Sequence, residues 1–319
     1  MNSTVYLHSI SHQLGEIRPI EEIQELAINL ALCKTMRGLG CNTFSRVEGG
    51  VRQLLLDSAR RTLQLSGLAT GEIDVILYAS STYDPLEDVD DIGFVADELK
   101  LYNAFPVGVF LGFCAGFSQG MCIAEGLFAA GRAKNILFIT GDKIKEDRES
   151  RLLMQNSAVI SDGVASCILT SAKVENGYCV QSSVHSYLPS TYKLRGAEKV
   201  MDYVLQYSRG VSTAFQTANS QASLVPDDYS RLITGNFNKA VLQNLSQLTG
   251  IEMERFHTKN IGHFGHCFSA DLLIGLEDLQ TEEALEHRER LMLIGAGGYI
   301  WGASVVLRHW PSPAGRRSR

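Results

Sequence analysis

The sequence has no Cys-x-x-Cys pair, no His-Glu-x-x-His motif, no basic excess and no long unbroken apolar run. Each absence removes a class of protein. The seven cysteines are scattered and odd in number, which fits free thiols in a reducing cytoplasm better than a disulfide framework. A formal net charge of -6 supplies no basic face for nucleic-acid phosphates. The most apolar stretch, Val107 to Ala130, is interrupted by Gln119 and Glu125 and is rich in glycine, so it reads as a buried core element and not a membrane span. The N-terminus, MNSTVYLHSISHQLGE, has no basic segment backed by an apolar core, so no signal peptide is expected. No metal site is expected either, because the histidines lack acidic partners at helical offsets.

What is present is an ordinary globular composition. The 319 residues, 45% hydrophobic and 20% charged, suffice for a sizeable core in one or two domains. Val5–Ile10 reads as a strand, and Pro19 to Met36 as a helix with Ile23, Leu26, Ala27, Leu30 and Leu32 as its buried stripe. Val51 to Ser66 is a strongly amphipathic helix, Ile73–Ala79 an apolar strand, Asp84–Asp91 an acidic loop and Ile92–Leu101 a helix. NILFIT, from Asn135 to Thr140, is a second fully apolar strand, and the strand–helix–strand order implies parallel pairing with both faces covered. Ser161-Asp162-Gly163 turns into a strand, Val164–Thr170, and Val180–His185 is another. Leu188–Leu224 is mixed and polar and shows no clear period. The last third repeats the rhythm of the first: strand Tyr229–Ile233, helix Asn236–Leu248, a helix beginning near Ser269, and strands around Leu291–Ile294 and Ile300–Leu307. That repetition suggests an internal duplication.

The chemistry centres on VGVFLGFCAGFSQGMCIAEGLFAA. Cys114 stands where an apolar strand passes into a helix, and the unpaired N–H groups and dipole of a helix start favour a thiolate. Cys122, two turns further on, reads as a small buried hydrophobe. A nucleophilic cysteine needs a base and oxyanion donors. His8, His12, His185, His287 and His309 lie in strand or surface contexts, whereas His257, His263 and His266 cluster in one glycine-rich loop. His263, with glycine before it and Phe264-Gly265 after it, is the expected base, with His266 as support. Free N–H groups in Ala296–Gly298, together with the amide of Cys114, would form an oxyanion hole.

GFCAGFSQGMCIAEGLFAAGRAKNILFITGD, SDGVASCIL and GAGGYIWGASVVL together resemble the ketosynthase III family of β-ketoacyl carrier-protein synthases, which are thiolase-fold condensing enzymes. The resemblance spans nearly the whole chain. It implies an α/β thiolase fold of two similar αβαβα halves in five layers, residues 1–172 and 173–310; the tail at 311–319, polar and basic with two prolines, reads as disordered. It also implies a homodimer, an acyl thioester on Cys114, and an oxyanion hole from the N–H groups of Cys114 and Gly298.

The departures from the family pattern are informative. Condensing members place a histidine at the head of the helix after the Tyr229–Ile233 strand, and an asparagine in a later Gly-Asn-Thr. Here the first site reads Thr234-Gly235-Asn236, without histidine, and Gly262-His263-Phe264 matches the second, with histidine in place of asparagine. The decarboxylating pair is dismantled and one imidazole remains. The chain therefore resembles the ketosynthase III-like acyltransferases of natural-product pathways. The expected cycle moves an acyl group from a carrier-protein phosphopantetheine or coenzyme A thioester onto Cys114, and then to a hydroxyl, amine or carbon nucleophile on a small-molecule acceptor. Asn236 or Asn238 would orient His263 or the substrate. No tightly bound cofactor is expected. The region Lys34–Val47 lacks the tryptophan that stacks on coenzyme A in relatives, the two tryptophans being Trp301 and Trp310, so a carrier-protein donor is favoured. Two alternatives are a decarboxylative synthase using a malonyl thioester and a non-catalytic partner subunit of a heterodimer.

Overall fold

The computed structural model describes residues 4–194, 199–281 and 288–309; the expected disordered tail, Trp310 and His287 lie outside them. In chain order the first half comprises β1 (Val5–Leu14), β2 (Glu16–Pro19), α1 (Gln24–Ala27), α2 (Leu30–Gly38), β3 (Thr43–Arg46), α3 (Arg52–Ser66), β4 (Val75–Ala79), α4 (Asp88–Glu98), β5 (Phe105–Val109), α5 (Gly116–Ala129), β6 (Asn135–Asp142) and β7 (Gly163–Thr170). The second comprises β8 (Gly177–Tyr187), α6 (Val200–Ala222), β9 (Tyr229–Thr234), α7 (Lys239–Thr249), α8 (Ala270–Thr281), β10 (Arg290–Ala296) and β11 (Ile300–His309).

The strands run β5-β4-β6-β7-β1 in the first half and β9-β10-β11-β8 in the second, the same order with one strand fewer. A single parallel bridge between Leu232 and Phe256 stands where the missing strand would pair with β9. The two sheets join where Val5–Leu7 of β1 pairs antiparallel with Tyr178–Val180 of β8.

Side chains on a strand alternate between faces, and here both faces are buried, so the strands read as continuous apolar runs. Leu77 and Phe138 of one sheet and Leu291 and Leu293 of the other point to a shared middle layer, filled by Phe117, Met121 and Ala124 of α5 and Leu272, Leu273 and Leu276 of α8. Ile76, Tyr78 and Ile139 point the other way, under Leu55, Ala59 and Leu63 of α3 and Ile92 and Val95 of α4. Met292, Ile294 and Val305 likewise meet Val211, Phe215 and Ala218 of α6 and Leu242 and Leu245 of α7. The result is five layers, with α5 and α8 as the central one.

Several local expectations change. The stretch from Pro19 to Met36 is not one helix: a 3-10 turn at Ile20–Glu22 and the short α1 precede α2. Asn29 starts α2 afresh by accepting the N–H of Leu32 at 3.0 Å. Leu30 is therefore 76% exposed, while Cys33 and Met36 are buried. The acidic segment becomes helical from Asp88, where three aspartates in the first turn suit the helix dipole. Leu188–Leu224 holds the longest helix described, α6.

Gly210 lets α6 close on the sheet: a Cβ there would lie 2.1 Å from the ring of Trp301, which is fully buried. Gly210→Val is expected to lower unfolding stability by about 1–3 kcal/mol in a urea titration through overpacking. Gly126→Ala, on α5 with open space at its Cβ, is expected to raise it by up to about 1 kcal/mol.

Candidate active site

Cys114 occupies a 3-10 turn, Phe113–Ala115, that runs directly into α5. Phe113 takes a left-handed φ of 47°, an uncommon conformation for a bulky side chain. Its carbonyl accepts a 2.8 Å hydrogen bond from Ser269 Oγ, just ahead of α8, which ties the starts of the two central helices together. Gly295 of β10 lies beneath the turn, where a Cβ would come within 2.1 Å of the Cys114 carbonyl oxygen.

Cys114 is 6% exposed, and its Sγ lies 3.2 Å from Nε2 of His266. His266 is fully buried, and its Nδ1 donates to Oδ2 of Asp271 at 2.5 Å. Asp271, in the first turn of α8, also accepts from the backbone N–H of Asn236 (2.7 Å), from Asn236 Nδ2 (3.0 Å) and from the N–H of Cys267 (2.9 Å). Phe237 and Phe268 flank the imidazole at 5.0 and 5.4 Å between centroids. Gly235 closes over it: a Cβ there would sit 2.7 Å from His266 Cε1. Burial opposes charge on the ring. The charges of Cys114 and Asp271 and the hydrogen bonds to both outweigh that penalty and raise the His266 pKa from its ordinary 6.5 to about 10.

His263, the expected base, is not at the sulfur. Its side chain is exposed, and its carbonyl accepts from Thr43 Oγ1 at 2.5 Å. The physical reason is the tight turn at Gly265, φ 76°, where a Cβ would lie 2.6 Å from the carbonyl oxygen of Val159. That turn sends residue 266, not 263, inward. Backbone bonds from His266 N to Val159 O and from Ser161 N to His266 O, both 2.8 Å, then lock the new direction. His257, the third histidine of the loop, is occupied by Asp278 of α8 at 3.1 Å.

Asn236 binds Asp271 and, through Nδ2, the carbonyl of Gly265 at 2.8 Å, so it braces the acid and not the base directly. Asn238 caps α7 by accepting from Ala240 and Val241 at 3.0 and 3.1 Å. Gly298 shares a cavity wall with Cys114. Arg37 pairs with Glu21, and Arg46 with Glu48 and Glu146, so neither guanidinium is free for a phosphate. Sequence reasoning missed Asp271. The available signal was an aspartate at a helix start five residues beyond a histidine, in His266-Cys-Phe-Ser-Ala-Asp271.

A cavity of about 620 Å³ opens over Cys114. Its wall comes from Met36 of α2, Tyr203 and Tyr207 of α6, Val241 of α7, and the Phe237 and Phe268 rings. Asp88, Val89 and Ile92 line a separate cavity beside Tyr83 and Phe110. Among the described residues no group of three or more His, Cys, Asp or Glu could hold a metal ion, and no helix is long and apolar enough to cross a membrane.

Two family models match: 3-oxoacyl-[acyl-carrier-protein] synthase III over residues 111–187 and its C-terminal counterpart over residues 220–308. Together they take in more than half of the chain. Among curated proteins, β-ketoacyl-[acyl-carrier-protein] synthase III of Clostridium perfringens is 26% identical over 289 residues, covering 82% of this chain and 86% of that protein. The Staphylococcus haemolyticus protein of the same name is 24% identical over 283 residues, covering 85% and 88%. Among solved structures, the acyltransferase ChlB3 superposes with a TM-score of 0.86 at 14% identity, over 97% of this chain and 99% of that one. A single-residue variant of OleA from Xanthomonas campestris gives 0.81 at 16% identity over 95% and 98%. The architecture is thus the thiolase fold shared with synthase III structures.

The raised His266 pKa carries a sign for stability. The group binds its proton more tightly folded than unfolded, so its contribution is complete below pH 6.5 and is lost as pH rises through about 10. The urea midpoints of wild type and His266→Gln are expected to differ most near pH 6 and to converge toward pH 10. A gap that widens over that range would contradict the assignment.

Proposed function

The chain belongs to the ketosynthase III family of thiolase-fold enzymes, and we propose that it is an acyltransferase working through an acyl-Cys114 intermediate. The observation that carries this reading is the line Asp271–His266–Cys114, with contacts of 2.5 and 3.2 Å, beside Thr234-Gly235, where condensing members carry a histidine at one position or the other. A Cys-His-Asp line is the arrangement for covalent acyl transfer. In this reading the Cys114 thiolate attacks a carrier-protein or coenzyme A thioester. His266 gives its Nε2 proton to the departing thiolate, leaving a neutral ring facing the acyl-enzyme. The acceptor then loses its proton to Nε2 as it attacks the carbonyl, and the C–S bond breaks to return thiolate opposite imidazolium. Asp271 fixes the tautomer by holding Nδ1–H, which keeps Nε2 toward the sulfur. The N–H groups of Cys114 and Gly298 serve the tetrahedral oxyanion in both halves of the cycle.

The same reading takes the protein as a cytoplasmic homodimer acting with an acyl carrier protein. Its seven free cysteines and the apolar side chains exposed about edge strand β5, among them Leu86 (82%), Phe105 (48%) and Leu111 (74%), support that view. A decarboxylative synthase is disfavoured by Gly235, because a β-carbon at that position already collides with His266.

Incubation with an acyl-coenzyme A or acyl carrier protein is expected to leave one acyl adduct in the intact mass, absent in Cys114→Ala. His266→Ala is expected to slow acylation by roughly 10²–10⁴-fold, whereas His263→Ala stays within about twofold. No adduct on wild type, or carbon dioxide released from a malonyl thioester at a rate matching product formation, would overturn the reading.

A further inference from the structure

The carbonyl of Phe113 and the N–H of Cys114 belong to one peptide group, which is planar and trans, so they point in opposite directions. Whatever holds the carbonyl therefore aims the N–H. Two donors hold it: the backbone N–H of Gly116, which closes the 3-10 turn, and Ser269 Oγ at 2.8 Å. Ser269 is buried, and Gly116 leaves room for its hydroxyl: a Cβ at residue 116 would lie 2.9 Å from Ser269 Oγ and 3.3 Å from Ala79 Cβ. On the other side of the peptide plane, the Cys114 N–H makes no hydrogen bond among the described residues. Phe113 also keeps its left-handed φ of 47°, a conformation that persists in a bulky residue only where its surroundings hold it. Gly297 packs against the same turn, where a Cβ would lie 3.0 Å from the Gly112 carbonyl oxygen and 3.1 Å from Phe113 Cβ, and Gly298 follows it in the wall shared with Cys114.

We infer that Ser269 is a positioning residue for acyl transfer: by binding the Phe113 carbonyl it locks the peptide plane and holds the Cys114 N–H ready for the oxyanion. Ser269 touches no substrate and moves no proton. The step it serves is attack of the Cys114 sulfur on the donor thioester. A new C–S bond forms and the π pair of the carbonyl moves onto oxygen, where the N–H groups of Cys114 and Gly298 take the charge. The pair then returns, the old C–S bond breaks, and the departing thiolate takes the proton of His266 Nε2. This role rests on the acyl-Cys114 reading above. It makes one six-residue stretch carry three parts of the site: His266 at the sulfur, Asp271 behind it, and between them the hydroxyl that fixes the oxyanion donor.

The test compares wild type with Ser269→Ala in the full chain. Butanoyl thioesters of coenzyme A and of acyl carrier protein, labelled with carbon-13 at the carbonyl, report acylation by intact mass. Iodoacetamide reports the sulfur and its base alone, because it loses iodide without forming an oxyanion, and its uptake is read on the peptide that holds Cys114. Ser269→Ala is expected to slow acylation about tenfold, while alkylation stays within about twofold; the loss is smaller than the roughly 10²–10³-fold typical of a deleted oxyanion donor because the Gly116 N–H still holds the carbonyl. In the infrared spectrum of the acyl-enzyme, the labelled carbonyl is expected at higher frequency in Ser269→Ala than in wild type, since a less polarised carbonyl has more double-bond character. Equal acylation rates, an unmoved carbonyl band, or acylation and alkylation that fall together would overturn the role of Ser269 and leave acyl transfer standing. Absence of an adduct on wild type from both thioesters would overturn both.

Discussion

The contact between Cys114 and His266 exists because two helices begin side by side. Cys114 sits just ahead of α5 and Asp271 in the first turn of α8, and these are the two members of the central layer. Both starts present unpaired N–H groups and the positive end of a dipole. Packing two such ends together is unfavourable unless negative charge lies between them. The Cys114 sulfur stands at one start and the Asp271 carboxyl group at the other, and the His266 ring lies between them at 3.2 and 2.5 Å. The bond from Ser269 to the Phe113 carbonyl at 2.8 Å shows how close the two helix starts come. Duplication of one strand–helix unit thus creates the geometry before any catalytic residue is chosen.

Glycine and a buried ion pair then fix the details. Gly295 under Cys114 and Gly235 over His266 stand where a β-carbon would fall within 2.1 and 2.7 Å of its neighbour. The backbone that orients His266 is anchored from the other side by Ser161-Asp162-Gly163. Asp162 is fully buried, pairs with Arg151 at 2.9 Å and accepts the N–H groups of Val47 and Ile144 at 2.8 and 2.9 Å. Arg151 in turn reaches the carbonyl of Ile160 at 3.2 Å, and Ile160 bridges His266. Removing either ion-pair partner would strand a buried charge and loosen the strand that aims the imidazole.

Much of this was legible in the chain itself. Apolar runs at Ile73–Ala79 and Asn135–Thr140 become strands buried on both faces, and the cysteine at a strand-to-helix junction lies in the cavity wall. The choice between His263 and His266 was not legible, because Gly262-His263-Phe264 and Gly265-His266-Cys267 offer the same local pattern three residues apart. What separates them is a left-handed turn at Gly265 and its fit against Val159, a contact between residues more than a hundred positions apart. Asp271 was hidden for a related reason: an acidic residue in a first helical turn is ordinary, and only the fold shows what it holds. The helix expected from Pro19 to Met36 failed on local chemistry, since Asn29 ends one segment and caps the next.

The distribution of charge supports the proposed acyl transfer over decarboxylation. A malonyl carboxylate must be carried into the cavity and its product carbonyl held as carbon dioxide leaves, which calls for two donors aimed at one oxygen. Here Thr234-Gly235 holds no histidine, Gly235 is pressed on the His266 imidazole, and the second nitrogen of that ring is taken by Asp271. Phe237 and Phe268 flank the His266 ring, and the cavity wall holds no Lys, Arg, Asp or Glu among the described residues. In such surroundings a proton on His266 is held by fixed partners and not by water, so it moves only when an incoming group offers or removes charge at Nε2. In the proposed acyl transfer, a thioester that accepts the sulfur and an acceptor that gives up a proton would each meet that condition in turn at Nε2.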